Sequence, residues 1–141
     1  MNGAFYDKQR RGGVSVTSML LLCVLLAVPT IALLRLAHTV EARFLFAYLF
    51  FVSLITYFLY RHDKAKAERG EWRIPEVTLH ILEFFGGWAA AYLAQRNFRH
   101  KTSKVSYQAT FLAIIFLHEV LSLDYLRDWK VLKQVMTIIQ Q

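Results

Sequence analysis

The sequence predicts an all-α integral membrane protein: a bundle of four transmembrane helices followed by a C-terminal amphipathic helix in the membrane interface. Hydrophobic residues make up 56% of the 141-residue chain, and the mean hydropathy is positive. These residues are grouped in four blocks, not scattered at the spacing of a soluble helix or strand. Each block is near the roughly 20 apolar residues that a spanning helix needs. Few residues remain for a soluble domain, so residues 1–141 are predicted to form a single membrane domain.

The four predicted spans cover residues 16–36, 44–60, 75–96 and 105–123. The first block resembles a secretory signal because Lys8, Arg10 and Arg11 precede it. Its apolar run exceeds the roughly 7–15 residues of a signal core, however, and this length favours an uncleaved anchor helix. Cys23 follows Leu22, where a lipoprotein would need a small residue, so we interpret it as a lipid-buried side chain. A single cysteine excludes an internal disulfide and a cysteine-based zinc cluster.

After the last span, residues 125–139 are predicted to form an amphipathic helix in the membrane interface. Apolar and aromatic side chains recur there every three or four residues, at Tyr125, Trp129, Leu132, Met136 and Ile139. Lysine and arginine side chains lie elsewhere around the helix, which is typical of an interfacial helix. A docking helix for a partner protein is the alternative interpretation.

The distribution of lysine and arginine predicts the orientation of the chain. Three precede the first span, two separate the first and second spans, five lie in 61–76, four in 96–104, and three after residue 123. With both termini in the cytoplasm, 11 of these residues lie inside and 6 outside, as the positive-inside rule favours. We therefore predict a multi-pass protein of the bacterial cytoplasmic (inner) membrane with both termini cytoplasmic.

The third block has two possible arrangements, a straight membrane span or a re-entrant segment. A straight span puts the basic loop 96–104 outside, whereas a segment that dips in and returns puts 12 basic residues inside and 5 outside. Gly86 and Gly87 could mark the bend of such a re-entrant segment, because glycine weakens a helix interior. They could instead belong to a helix-packing face, since Gly86, Ala90 and Ala94 recur every four residues. We prefer the straight span and keep the re-entrant course as the alternative.

The segment between the second and third blocks, residues 61–76, contains nine charged side chains. Pro75 suits the first turn of the following helix, and Glu76 complements the positive end of its dipole. Gly70 is suited to end any helical extension of the second span. These features predict a cytoplasmic loop at the membrane surface, where basic side chains meet anionic lipid headgroups.

The stretch "YRHDKAKAERGEWRIPEVTLHILEFFGGW", followed by "LAQRNFRHKTSK", resembles the membrane protein family known as domain of unknown function 1294. The family pattern has an Asp-Lys pair, a later Arg-Ile-Pro-Glu, a Gly-Gly pair in the next helix, and a closing Arg-His-Lys-Thr with a further Lys. The resemblance covers about residues 57–118. The matching positions are Asp63, Lys64, Ala67, Gly70, Arg73, Ile74, Pro75, Glu76, Leu79, His80, Gly86, Gly87, Arg99, His100, Lys101, Thr102 and Lys104.

The resemblance supports a membrane protein and implies no activity. Some relatives carry an amino-terminal cold-shock domain, but about 13 residues precede the first span here, so no direct nucleic acid binding is expected. Where the family tends to have a proline and a glycine after the glycine pair, this chain has "WAAA", which favours the straight span. The matched residues Asp63, Lys64, Arg73 and Glu76 are predicted to form a structural charged loop, a charge-paired lattice that fixes the join between the second and third helices.

Ionisable residues inside a bilayer are costly, so each marks a candidate site. His80 and Glu83 share one face of the third helix, and His118 and Glu119 lie in the next. If these two helices form an antiparallel pair, Glu83 is level with His118. The two His–Glu pairs could hold a divalent metal, relay a proton or bind a polar headgroup. Mutual hydrogen bonds that fix helix packing are the preferred interpretation, so no cofactor is expected and the metal is the alternative.

The basic loop after the third block is a second candidate site. Its Arg99, His100, Lys101 and Lys104 could clamp a phosphate, although anchoring to lipid headgroups is preferred. The sequence has no phosphate-cradling glycine loop, nucleophile elbow or HExxH motif. We therefore predict a small non-enzymatic protein that binds anionic lipid headgroups, a partner membrane protein or a second copy of itself through its charged loops. A membrane enzyme or transporter that uses the His/Glu cluster is the alternative.

Overall fold

The computed structural model describes residues 14–140, in which all regular elements are helices and no strand occurs. The helices are α1 (Val16–Ala37), α2 (Ala42–Arg69), α3 (Glu76–Leu82), α4 (Trp88–Phe98), α5 (Val105–Leu126) and α6 (Lys130–Ile139). A kinked segment, Glu83–Gly87, joins α3 to α4. Helix accounts for 83% of residues 14–140, and four stretches in this part of the chain are long and apolar enough to cross a membrane: α1, α2, the stretch from Glu76 to Phe98, and α5. The predicted all-α class, with four stretches able to span by length and composition, is confirmed.

The first two helices are antiparallel and joined by the short turn 38–41. The side chain of Ser15 caps α1 by accepting the backbone N–H of Ser18 at 3.1 Å. α2 has 28 residues, which gives a length of roughly 42 Å, well beyond the roughly 30 Å of a bilayer core. It continues past the predicted end at residue 60 through strong helix formers such as Lys, Ala, Glu and Arg. Gly70, in the left-handed conformation (φ 68), ends it.

The stretch between Glu76 and Phe98 folds back on itself. Glu76, its first residue, accepts a hydrogen bond at 3.1 Å from Nζ of Lys101, three residues beyond its last. A straight helix of this length would separate its ends by roughly 33 Å. α3 and α4 are therefore the two arms of a re-entrant hairpin, and both of its termini lie at one end of the bundle. The sequence-based preference for a straight third span is wrong.

Contacts with α2 also show that the third segment folds back. Near the C-terminal end of α2, Asp63 contacts His100, which follows the second arm. One turn earlier, Tyr60 forms hydrogen bonds with Glu83 at the end of the first arm and with Gln95 in the second. Both arms therefore lie against the same helix at the same depth.

The glycine pair forms the tip of the hairpin. Phe85 (φ −81, ψ 17) and Gly86 (φ 104, ψ −1) leave the helical conformation, and the φ of Gly86 is one that glycine adopts without strain. A Cβ on Gly87 would lie 2.2 Å from Oγ1 of Thr56, so no side chain fits there. The hydroxyl of Tyr48 donates to the backbone carbonyl of Phe85 at 2.8 Å and satisfies an oxygen that the bend leaves free.

This break also changes the predicted helix-packing face. Gly86, Ala90 and Ala94 do not form a continuous face, because the helix is interrupted at Gly86. Ala91 and Ala94 are fully buried, whereas Ala90 is only half-buried. The small residues of α4 allow it to pack against α2, the most extensive helix contact in the fold.

The other end of the bundle holds the C-terminal ends of α1 and α5. Arg35 donates to the backbone carbonyl of Leu126 at 3.0 Å and pairs with Asp128 at 2.6 Å. α1 begins at the end that carries the hairpin termini, whereas α6 lies at the opposite end. Over residues 14–140, the start of α1 and α6 therefore lie at opposite ends of the bundle, and the side of the membrane on which each terminus lies stays a prediction.

The C-terminal helix begins later than predicted. Residues 125–139 were expected to form it, but α5 continues to residue 126 and α6 begins five residues after the predicted start. A left-handed residue, Trp129 (φ 60), separates the two helices. The carboxylate of Asp124 accepts the backbone N–H groups of Val131 at 2.8 Å and Leu132 at 3.1 Å. Asp124 thus caps α6 and fixes the corner.

Candidate functional site

Asp63 is the centre of a cluster of charged side chains at the end of the bundle that carries both hairpin termini. This surface cluster consists of Asp63, Arg73, Glu76, His100, Lys101 and Lys104. The side chain of Asp63 is 0% exposed. Its Oδ1 accepts the backbone N–H of Ile74 at 2.9 Å, and its Oδ2 accepts Nε2–H of His100 at 2.7 Å. Asp63 therefore ties α2 to the segment that enters the hairpin and to the one that leaves it.

Lys101 is the buried cation of the surface cluster, with a side chain only 2% exposed. Its Nζ lies 3.5 Å from Oδ2 of Asp63, 3.1 Å from Oε1 of Glu76 and 4.7 Å from the ring centre of Tyr107. The second oxygen of Glu76 pairs with Lys104 at 2.8 Å. A buried ammonium group is stable only where opposite charges and hydrogen bonds replace its water. Two carboxylates and one aromatic face do this for Lys101.

Three of the four residues predicted to form a charged loop, Asp63, Arg73 and Glu76, belong to the surface cluster. Arg73 lies 3.4 Å from Asp63. Lys64 lies outside the cluster because its side chain points along the surface of α2 and pairs with Glu68 at 3.2 Å. The prediction is corrected for Lys64, since the buried cation of the cluster comes from the loop after α4.

His100 is buried beside the Asp63 carboxylate. Burial lowers the pKa of His100 below its ordinary value, and the charges of Lys101 and Arg73 act in the same direction. The hydrogen bond and the charge of Asp63 act against this shift. The imidazole is therefore an uncharged donor to Asp63 at neutral pH.

Glu83 is the centre of a second cluster deeper in the bundle. This buried cluster consists of Tyr60, His80, Glu83, Gln95, Tyr107 and Gln108. Glu83 is 0% exposed. Its Oε1 accepts the hydroxyls of Tyr60 and Tyr107, the second at 2.7 Å, and its Oε2 binds Nδ1 of His80 at 2.6 Å. The His80 ring stacks on Tyr107, with ring centres 4.2 Å apart.

Two glutamines join the buried cluster to the surface cluster. Nε2 of Gln95 donates to the hydroxyl of Tyr60 at 3.0 Å. Nε2 of Gln108 donates to Oε1 of Gln95 at 2.6 Å and to the backbone carbonyl of Lys101 at 2.9 Å. The network therefore runs without a break from Glu83 to the loop that carries Lys101. Its polar groups bind one another and hold the two arms of the hairpin against α2 and α5.

The four predicted metal ligands are not brought together. His80 and Glu83 are in contact, but His118 donates from Nδ1 to the carbonyl of Ile114 in its own helix at 2.8 Å. Oε1 of Glu119 is buried with no hydrogen-bond partner among residues 14–140. Over the same residues, no three His, Cys, Asp or Glu side chains lie close enough together to hold a metal ion. The prediction that Glu83 lies level with His118 assumed a straight third span. The chain folds back instead, so that assumption does not hold.

The basic loop is only partly available to lipid. His100 and Lys101 are buried and paired within the protein, so their assignment to headgroup contact is corrected. Arg99 is exposed and has a left-handed backbone (φ 48). Lys104 is 54% exposed, although it also pairs with Glu76.

Sequence reasoning missed the tyrosines and glutamines of the buried cluster. Tyr60 and Tyr107 stand at the ends of apolar blocks, where aromatic residues are common in membrane proteins. Gln95 and Gln108 carried a usable signal, because both stand within one helical turn of the basic loop, one on each side of it. Neutral polar groups at membrane depth need partners as much as charges do.

The fold and the site define a class: a small helical protein of membrane-spanning length whose re-entrant hairpin is held by two buried carboxylates. The family described as "Protein of unknown function (DUF1294)" matches residues 53–107, the part that contains α3, α4 and both central carboxylates. "Uncharacterized protein YsdA" of Bacillus subtilis (strain 168) is 29% identical over 79 residues, which cover 56% of this chain and 89% of the relative. These matches support membership of the chain in the DUF1294 family, so the resemblance noted in the sequence is confirmed. No solved structure gives a significant match.

Proposed function

We propose that the protein is a non-enzymatic, multi-pass component of the bacterial cytoplasmic membrane that binds anionic lipid headgroups at the end of the bundle carrying the hairpin termini. The observation that supports this most directly is the fold-back of the third segment. It brings segments 61–76 and 96–104 to the same end, with nine lysines and arginines against four acidic residues. The positive-inside rule then favours the cytoplasm for this basic end.

The proposed lipid contact lies on the outer face of α2. Leu54, Ile55 and Phe58 are exposed there, and Arg61 and Arg69 follow on the same side of a shallow groove. An apolar stretch capped by guanidinium groups matches an acyl chain that ends in a phosphate. Arg61 forms no ion pair with a described residue, so its charge is available to a ligand.

The two clusters support a structural role, which is why we propose no reaction. Within the described part of the chain, the carboxylates of Asp63, Glu76 and Glu83 all accept hydrogen bonds from protein donors. A general acid or base would have to give up such a partner to act on a substrate.

Native mass spectrometry in a mild detergent tests lipid binding, with phosphatidylglycerol and phosphatidylcholine as the two probes. The variant with Arg61→Gln and Arg69→Gln should lose about fivefold in phosphatidylglycerol affinity for each charge removed, because a basic residue near an anionic surface contributes about 1 kcal/mol. The matched control is Arg43→Gln with Lys133→Gln, which removes the same charge from the other end. Equal binding of the two lipids, or equal losses in the two variants, would contradict the proposal.

A second candidate function is supported by Glu83 alone. A carboxylate buried at membrane depth is by default a functional candidate, and its partner His80 has a side chain 16% exposed. A carrier that moves protons through this pair should dissipate a pH gradient across proteoliposomes, and Glu83→Gln should abolish the flux while Glu119→Gln leaves it intact. Flux no greater than in empty vesicles would eliminate this candidate.

A further inference from the structure

A cavity of about 590 Å³ lies in the half of the bundle beyond the tip of the hairpin. Its walls come from the second half of α1, the first half of α2, the hairpin tip and the second half of α5. A fourth straight helix would have occupied this space. The volume lies within the roughly 300–1,000 Å³ of known ligand pockets.

The lining of this cavity is largely apolar, with few polar groups. Leu33, Leu49, Phe84 and Trp88 are among the residues that form its walls, and Trp129 closes it toward α6. An aliphatic chain would lie in contact with such walls, and because lipid is equally apolar, any preference for the cavity must come from packing and from its polar groups.

His118 and Ser122 supply polar groups to one wall of the cavity. They are four residues apart on α5 and so lie on one face of the helix. Nδ1 of His118 faces the carbonyl of Ile114 at 2.8 Å. A carbonyl oxygen only accepts hydrogen bonds, so the proton of the imidazole must lie on Nδ1. In the uncharged ring, Nε2 then carries a lone pair and can accept a hydrogen bond from a ligand.

We propose that this cavity binds a long-chain apolar molecule that carries a hydroxyl group. The chain would lie among the apolar walls, the ligand hydroxyl would donate to Nε2 of His118, and its oxygen would accept from the Ser122 hydroxyl. A hydroxyl fits this pair because it both donates and accepts, whereas an ether or ester oxygen only accepts. The site is separate from the headgroup contact on α2 and lies in the opposite half of the bundle.

The test uses a long-chain primary alcohol with a photoactivatable diazirine in its chain, and its methyl ether as the matched probe. Labelling of the purified full chain should be saturable and should map to peptides of α1, the hairpin tip and α5. Ala89→Trp, which fills the cavity, should abolish it. His118→Phe should weaken alcohol labelling by about fivefold, the usual contribution of one hydrogen bond, and leave ether labelling unchanged.

Leu112→Trp is the control for Ala89→Trp, because Leu112 is 59% exposed on α5 and outside the cavity. Equal labelling of these two variants would overturn the site. Equal affinity for the alcohol and the ether, with no effect of His118→Phe, would overturn the recognition of a hydroxyl. His118→Phe keeps the ring volume, so the second comparison holds even if Ala89→Trp fails to fold.

Discussion

α1 and the stretch from Glu76 to Phe98 have nearly the same length, 22 and 23 residues, and both are apolar enough to cross a membrane. α1 is a continuous helix that contains Pro29, its one charged residue, Arg35, lies in its last turn, and most of its large apolar side chains are exposed. The second stretch contains His80 and Glu83, breaks at Gly86 and is far more buried. Two segments of similar length therefore take different courses, and the one that folds back is the less apolar of the two.

The two segments differ because the second one contains a broken helix, whose free backbone polar groups need hydrogen-bond partners. Lipid offers no hydrogen bonds, so irregular backbone at membrane depth is tolerated only where protein covers it. The hydroxyl of Tyr48 serves the carbonyl of Phe85, and the buried cluster serves the end of α3. In α1, Pro29 removes a single helical hydrogen bond and the helix continues on both sides of it, so α1 can face lipid. Buried polar partners thus separate a folded-back segment from a simple span.

The largest expected effect concerns the sides of the membrane. In a Cys23→Ala background, single cysteines at Ser103, Glu68 and Thr137, all exposed, should react with a membrane-impermeant maleimide. Ser103→Cys and Glu68→Cys should label from one side and Thr137→Cys from the other, because the hairpin returns to its side of entry. A straight third span requires Glu68→Cys to label together with Thr137→Cys and Ser103→Cys to label from the other side, so that pattern would refute the hairpin.

Asp63→Ala should give the largest loss of stability. It leaves the buried Lys101 with one carboxylate fewer and His100 without its acceptor, and removal of one partner from a buried ion pair costs about 3–5 kcal/mol. Thermal unfolding in detergent measures the effect. The matched control is Lys64→Ala, which removes only a surface pair with Glu68 and should cost about 0.5 kcal/mol or less. Similar losses in the two variants would mean that the surface cluster does not hold the hairpin.

Gly87→Ala should be destabilising by about 1–3 kcal/mol, as expected for overpacking, because its Cβ would collide with Oγ1 of Thr56 at 2.2 Å. Gly70→Ala is the control: it has a positive φ but open space around its Cβ position, so it reports backbone strain alone, about 1–2 kcal/mol. Unfolding midpoints of the two variants make the comparison. A Gly87→Ala protein as stable as the parent would show that α2 does not approach the tip this closely.

A smaller effect on the stability of the protein is expected from a change in pH. The pKa of His100 is lowered in the folded protein, so below its ordinary value of about 6.5 the unfolded chain binds more protons than the folded chain. Stability should therefore be complete above about pH 6.5 and fall as the pH drops toward the folded pKa of His100. His100→Gln keeps a donor near Asp63 and should flatten this decline. An unchanged pH profile in His100→Gln would assign the decline to another group.

The all-α class was predictable because apolar blocks long enough to span a membrane form few stable structures other than helices. Local signals were also reliable: Gly70 ends α2, and Glu76 begins α3 directly after Pro75. The start of α6 was missed because Tyr125 continues the apolar pattern, and only the cap by Asp124 reveals where the new helix begins.

The course of the third segment was not predictable from charge counts, since the two alternatives differed by one basic residue on the inside. The deciding contacts join residues far apart in the chain, such as Asp63 with His100 and Glu76 with Lys101. The same reason explains the misplaced metal site. To place Glu83 at the same depth as His118, we had to assume that the third segment runs straight and antiparallel to α5. The course of that segment is fixed by contacts with residues far away in the chain, and no local sequence pattern encodes them.

The hairpin also has a consequence for how the chain enters the membrane. A segment that returns to its side of entry never carries its following loop across the bilayer. On the proposed placement in the membrane, Arg96, Arg99, Lys101 and Lys104 stay on the side where the ribosome releases them, so their charges are never carried through the apolar core. After α2 has been inserted, only α5 would still have to be threaded through. Biogenesis on this placement requires three crossings from a sequence that has four segments able to make one.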